Sequence, residues 1–120
     1  MASYRVDKVE QLIKEQISHI FLNKLNNLQL GFVTITNVKV SSDLKTAKIY
    51  FSVLEKERRH VVLEKLEFNR GQIRTELAHR IQIKFVPELK FFIDDTLDYV
   101  EKIEGLLNKI HKQNDRQSNK

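Results

Sequence analysis

Between Val33 and Val53 the apolar side chains fall on every second residue, in two runs separated by one short polar break. A period of two belongs to extended chain with one buried face. In the first run Val33 and Ile35 share one parity, while Val38 and Val40 share the other. A regular strand would turn the second pair outward. One extra residue near Thr36-Asn37, a β-bulge, returns all four to the same side. Ser41-Ser42-Asp43-Leu44 has the chemistry of a turn. The second run, Lys45 to Leu54, puts Ala47, Ile49, Phe51 and Val53 on one face and Lys48, Tyr50 and Ser52 on the other. The two runs form an antiparallel hairpin whose apolar face needs a cover.

The rest of the chain supplies that cover with helical spacing. Val6, Val9, Ile13, Ile17, Ile20 and Leu25 recur at three to five residues, widened by Leu12 and Phe21. This is one face of an amphipathic helix with Ser3 as N-cap, ended by Asn26-Asn27 and Gly31. From Lys56 to Ile81 a second stripe runs Val62, Leu66, Ile73, Leu77, Ile81. Its missing member falls at Asn69 or Arg70, and Gly71 follows. A glycine inside a helix costs about 1 kcal/mol relative to alanine. The stripe is continuous in phase but interrupted, which predicts two helices joined at a kink over Asn69-Arg70-Gly71. Ile83 to Ile93 is extended, with Pro87 at a bend, an edge or a strand start. Leu89, Phe91 and Ile93 make its apolar face. After Asp94-Asp95-Thr96, a last short helix carries Leu97, Val100, Ile103, Leu107 and Ile110 on one side. The order is α-β-β-α-kink-α-β-α: an α+β domain, a small three-stranded sheet with helices on one face.

The 120 residues suit a single domain. We place it at 1–107, followed by a basic tail, 108–120, expected to be disordered; the tail has Lys109, Lys112, Arg116 and Lys120 against Asp115 alone. The net charge is only +5, and acidic residues are spread along the chain, so a site for a polyanion has to be a local patch. The absence of cysteine excludes disulfides and thiolate metal sites. No apolar run approaches the roughly 20 residues of a membrane span. The N-terminal stretch lacks the apolar core of a secretory signal. The expectation is a cytoplasmic monomer with no membrane partner.

Catalytic chemistry finds no foothold. His19, His60, His79 and His111 are scattered, outside any metalloprotease spacing. There is no P-loop and no Gly-x-Ser-x-Gly. No catalytic residue, cofactor or small-molecule substrate is expected. Asp94, Asp95 and Asp98 have the chemistry for a hard cation, but capping the last helix is their simpler use.

Three stretches carry a resemblance. The first is Tyr4-Arg5-Val6-Asp7-Lys8-Val9. The second is Val33 to Leu44 with Ala47-Lys48-Ile49-Tyr50-Phe51-Ser52-Val53. The third is Gly71-Gln72-Ile73-Arg74, Glu76-Leu77 and Arg80-Ile81, then Val86-Pro87-Glu88-Leu89-Lys90-Phe91. Together they resemble the ribosome-binding factor A family over residues 4–107, and with it the type II KH-like fold. The resemblance implies a non-catalytic RNA-binding assembly factor. Such a factor binds the immature 30S small ribosomal subunit, contacts its 16S rRNA, assists late folding and 5′-end processing, and leaves before translation. Ordinary KH domains clamp nucleotide backbone at a Gly-x-x-Gly loop, which is absent here. The family carries an Ala-x-Gly kink instead, and this chain has Asn69-Arg70-Gly71 at that place, with Ala78 and Gln82 where glycine and arginine are usual.

The candidate RNA-binding residues are therefore Asn69, Arg70, Gly71, Arg74, Arg80 and Lys84. Arg70 and Arg74 lie one turn apart, and guanidinium suits phosphate by donating paired hydrogen bonds. The N-terminus of the helix after Gly71 adds free N–H groups and a positive dipole end. Read without the family, the same residues fit a strain-relieving glycine and arginines paired with Glu67 and Glu76 equally well. Lys56, Arg58, Arg59 and His60 form a second basic cluster, best explained as an exposed first turn. Lys39, Lys45 and Lys48 could meet RNA from the sheet, but keeping the hairpin soluble and blocking edge pairing is their simpler use. Phe51 and Phe91 belong to the core, which leaves Tyr50 and Phe92 as the only strand aromatics able to stack on a base. An adaptor that docks a partner protein through the C-terminal helix is the alternative function.

Overall fold

The computed structural model describes residues 2–23, 30–83 and 85–118. Seven main elements follow the expected order: α1 (Ala2–Asn23), β1 (Val33–Val40), β2 (Thr46–Val53), α2 (Arg59–Phe68), α3 (Arg70–Arg80), β3 (Glu88–Ile93) and α4 (Thr96–Ser118). A single 3₁₀ turn, Lys56–Arg58, leads into α2. Helix α1 already includes Ser3, so that residue is inside the first turn rather than capping it; helix ends vary by a residue or two because they fray. The Asn26-Asn27 terminator lies outside the described residues. Gly31 beyond it sits at φ 76°, the left-handed region that glycine enters without penalty.

The sheet has the order β1-β2-β3. β1 and β2 pair antiparallel, with the register slipping between Ile35 and Asn37. The extra residue is Thr36, and the bulge does what the parity demanded: Ile35, Val38 and Val40 are all buried. On β2 the buried set is Ala47, Ile49, Phe51 and Val53. β3 pairs parallel with β2, from Thr46↔Glu88 to Phe51↔Ile93, and begins directly after Pro87. Proline is thus placed where no ladder N–H is needed.

All the packed helices lie on one side. α1 rests on β1 and α3, while α2 and α3 rest on β3. Ile13, Ile17 and Ile20 from α1 meet Val62, Leu66, Ile73, Leu77 and Ile81 from the interrupted stripe, closing over the inward residues of the strands. Glu10 on α1 accepts the Val40 N–H at 2.9 Å, fastening the helix to the sheet edge.

α4 departs from expectation. It has 23 residues, not a few turns, and continues through the segment assigned to a tail. After Gly105 the sequence holds neither proline nor glycine, so nothing stops the helix. Its side chains from Tyr99 to Gln113 stay exposed. It is tethered at its base, where Arg59 meets both carboxylate oxygens of Asp98 at 2.7 and 3.0 Å. Lys56 adds contacts to Asp98 and Glu101 at 3.4 and 3.5 Å. The basic cluster before α2 therefore has a structural use that its exposed position in sequence did not suggest.

The bulge is also tied to the start of α4. Thr36 donates its hydroxyl to Asp94 at 2.6 Å, and the Thr96 N–H donates to the same carboxylate at 2.9 Å. These hydrogen bonds hold the Asp94 carboxyl below the usual carboxylate range, the Thr36 bond contributing most. The folded state thus binds the Asp94 proton more weakly than the unfolded chain. Its stabilisation is complete above the unfolded value of about 3.9 and is lost as pH falls through the lower folded value. Asp94→Asn is expected to melt below wild type at pH 7, with the gap narrowing by pH 3. A gap that stays constant across that range would remove the ionised carboxylate from this account.

Candidate nucleic-acid interface

The interruption between α2 and α3 is one residue wide. Asn69 lies at φ −97°, ψ 12°, close enough to helical that the chain bends without unwinding. Its carbonyl accepts the Ile73 N–H at 2.9 Å, so α3 begins its ladder at once. The Asn69 side chain does not cap α3. It turns back, and Nδ2 donates to the Lys65 carbonyl at 2.8 Å, alongside the Asn69 N–H at 3.1 Å. The asparagine therefore satisfies a carbonyl at the end of α2, a use open to an amide and closed to alanine.

Gly71 sits exposed in the first turn of α3. Its φ is outside the left-handed region, and a Cβ added there would meet no atom within 4 Å. Neither strain nor crowding explains this glycine. Gly71→Ala is accordingly expected to stabilise the fold by about 0.4–1 kcal/mol, measured by thermal melting. A loss of stability would show that the backbone there is under a constraint.

The arginines differ from one another. Arg70, partly exposed, pairs with Glu67 one turn back, and Glu88 stands 4.0 Å away. Arg80 contacts Glu76 at 3.4 Å. Arg74 has no carboxylate partner among the described residues and donates to the Val86 carbonyl at 2.6 Å. It lines a cleft of about 720 Å³ together with Arg5, Lys45, Asp43 and Pro87. Leu44 at the cleft wall holds φ 61°, uncommon for leucine, with its side chain packed against the core.

Asn69, Arg70, Gly71 and Arg74 are thus gathered on one corner. Arg80 is not with them. Ten residues along α3 from Arg70, it is displaced by roughly 15 Å, and it sits about 120° around the axis from Arg74 by the 3.6-residue period. Lys84 lies outside the described residues. At this corner Phe68 and Arg5 escape the sequence reading, which weighs Lys45 only as a lysine of the sheet. Phe68, next to the break, is 90% exposed; its position two residues past Leu66, off the buried stripe, was the available signal. Arg5 and Lys45 reach the cleft from α1 and the β1–β2 turn, which no local pattern reveals. Asp94, Asp95 and Asp98 do not converge: Asp94 holds the bulge and Asp98 holds Arg59. Among the described residues no group of three acidic or histidine side chains is placed to hold a metal.

The chain as a whole is similar to known proteins. The family model described as ribosome-binding factor A matches residues 5–107. The chain belongs to the ribosome-binding factor A family. Ribosome-binding factor A from Macrococcus caseolyticus is 41% identical over 111 residues, 92% of this chain and 97% of that one. The crystal structure of ribosome-binding factor A from Thermus thermophilus superposes with a TM-score of 0.65 at 19% identity, over 73% of this chain and 94% of that one. A Thermus thermophilus RbfA homology model fitted into a cryo-EM map of a 30S–RbfA complex gives a TM-score of 0.58 at 20% identity, over 70% and 89% of the two chains. Ribosome-binding factor A membership agrees with the α+β fold.

Proposed function

We propose that this chain binds the immature 30S small ribosomal subunit and assists late 16S rRNA maturation, including 5′-end processing, as a non-catalytic cytoplasmic assembly factor. The observation that carries the reading is Gly71: an exposed helical glycine whose replacement would cost the fold nothing. A bare backbone at a helix start is what a phosphate or ribose approaches most closely. Arg74 provides beside it a guanidinium not neutralised by the described residues, and Asn69 shapes the corner. Arg70 is already paired, but exposed ion pairs are worth roughly 0–1 kcal/mol, so RNA can draw it away from Glu67. Arg80 belongs to the flank of the contact, and Lys84, outside the described residues, is kept as a candidate from the sequence alone. Family membership and the 30S complex described for the Thermus thermophilus relative support the choice of partner.

Gradient sedimentation of cell extract tests the proposal. The protein is expected to migrate with free small subunits and to be absent from translating ribosomes. Migration at the top of the gradient would overturn it. The exposed apolar side of α4, including Val100, Ile103, Leu107 and Ile110, favours a second reading: a protein-interaction adaptor. Salt-insensitive binding with no co-purifying RNA would select that reading.

A further inference from the structure

We propose that the open face of the sheet, opposite the helices, is a separate contact for an unpaired RNA strand. Its phosphates lie along Lys39, Lys48 and Lys90, and its bases stack on Tyr50 and Phe92. The register makes the site. Lys39 pairs with Lys48, and Lys48 pairs with Lys90, so three lysines stand in one row across all three strands. At 4.7–4.9 Å between strands, the row spans roughly 10 Å. All three are exposed, and none is ion-paired among the described residues. Like charges directly opposite each other destabilise a sheet. A polyanion that neutralises the row would offset the cost of keeping two such pairs side by side.

The neighbouring row is Asn37, Tyr50 and Phe92. Tyr50 and Phe92 stack with ring centroids 5.4 Å apart and planes at 26°. They do so on the side where no helix packs, and Phe92 remains 39% exposed. Beside this pair a hollow of about 260 Å³ opens between Asn37, Lys39, Tyr50 and the Ile93–Thr96 segment. The carboxylates of Asp94 and Asp95 repel phosphate and accept hydrogen bonds from the amino groups of bases. The face is therefore polarised along β2 and β3, with Lys48 and Lys90 on one flank, the Asp94 and Asp95 acceptors on the other and the aromatic rings between, while Lys39 borders the hollow. A nucleotide strand has the same asymmetry. Only unpaired bases expose the faces that such a stack can meet. That the strand is RNA rests on the ribosome-binding reading; the demand for a single strand does not.

The test uses the full chain and a fluorescent single-stranded RNA of about ten nucleotides, within the usual site size, followed by anisotropy. Phe92→Leu and Tyr50→Leu keep apolar bulk and are expected to melt within a few degrees of wild type. Each should weaken binding about 5- to 10-fold or more. Lys48→Gln should weaken binding and flatten the log–log salt slope by about 0.7, yet raise the melting temperature by removing the middle charge of the row. A lysine that served solubility alone would give the stability gain without the binding loss. Arg74→Glu, on the other side of the sheet, should reduce binding to small subunits more than it reduces oligonucleotide affinity. Wild-type affinity in Lys48→Gln and Phe92→Leu, or a duplex of the same sequence binding as tightly as the single strand, would overturn the proposal. Failure of the wild-type protein to sediment with small subunits, with the sheet variants still losing the oligonucleotide, would instead overturn the ribosome-binding reading and leave this contact standing.

Discussion

Phe51→Ala is expected to cost about 3–5 kcal/mol of folding stability, the range for emptying a buried phenylalanine site. Phe51 has no exposure and lies on the middle strand, between Ile35 of β1 and Ile93 of β3. Both neighbouring strands and the helices above lose contacts at once, and a rigid sheet cannot collapse far into the void. A domain of this size has about 5–15 kcal/mol in total, so the variant should be partly unfolded near physiological temperature. Urea denaturation at unchanged m value measures the loss. Phe51→Leu should retain most of the stability. An alanine variant within about 1 kcal/mol of wild type would contradict the central place given to this ring.

Arg74→Glu is expected to lower affinity for immature small subunits about tenfold or more and to make its salt dependence shallower by about one in the log–log slope. The substitution reverses a charge for which no carboxylate partner is described. Its cost to the fold is limited to one hydrogen bond, to the Val86 carbonyl, worth about 1 kcal/mol. Arg70→Glu should have a smaller effect, because Glu67 and Glu88 already hold that guanidinium. Sedimentation binding at several salt concentrations, with melting temperatures measured in parallel, separates the two. Equal losses for both variants would mean that the pairing of Arg70 is broken on binding. Unchanged binding for Arg74→Glu would move the contact elsewhere.

Sequence carried the sheet well because the signal was local. The parity slip between Ile35 and Val38 could be resolved only by an inserted residue, and Thr36 is that residue. The break before Gly71 was legible for the same reason, since a stripe spaced by four, seven, four and four can hide only one interruption. What stayed hidden depends on partners distant in the chain. Glu88 reaches Arg70 only once β3 has docked. The row of Lys39, Lys48 and Lys90 exists only in the register of the finished sheet. The Asn69 amide had two helix ends within reach, and a near-helical backbone at the break decided for α2. The length of α4 was underestimated because its apolar side chains suggested a packed element, whereas it projects from the core.

The parallel pairing of β3 with β2 has a consequence for biosynthesis. A hairpin can close as soon as its two strands exist, but 34 residues separate the end of β2 from the third strand, which follows both crossover helices. Until then the far side of β2 is an unsatisfied ribbon edge, flanked by Phe51 and Ile49 with only part of their cover. Unpaired edges of that kind recruit other chains. Molecules released prematurely before Glu88 would therefore clump rather than remain as smaller, partly useful domains. Slow assembly of the same long-range contact sets the interval during which the newborn protein is vulnerable.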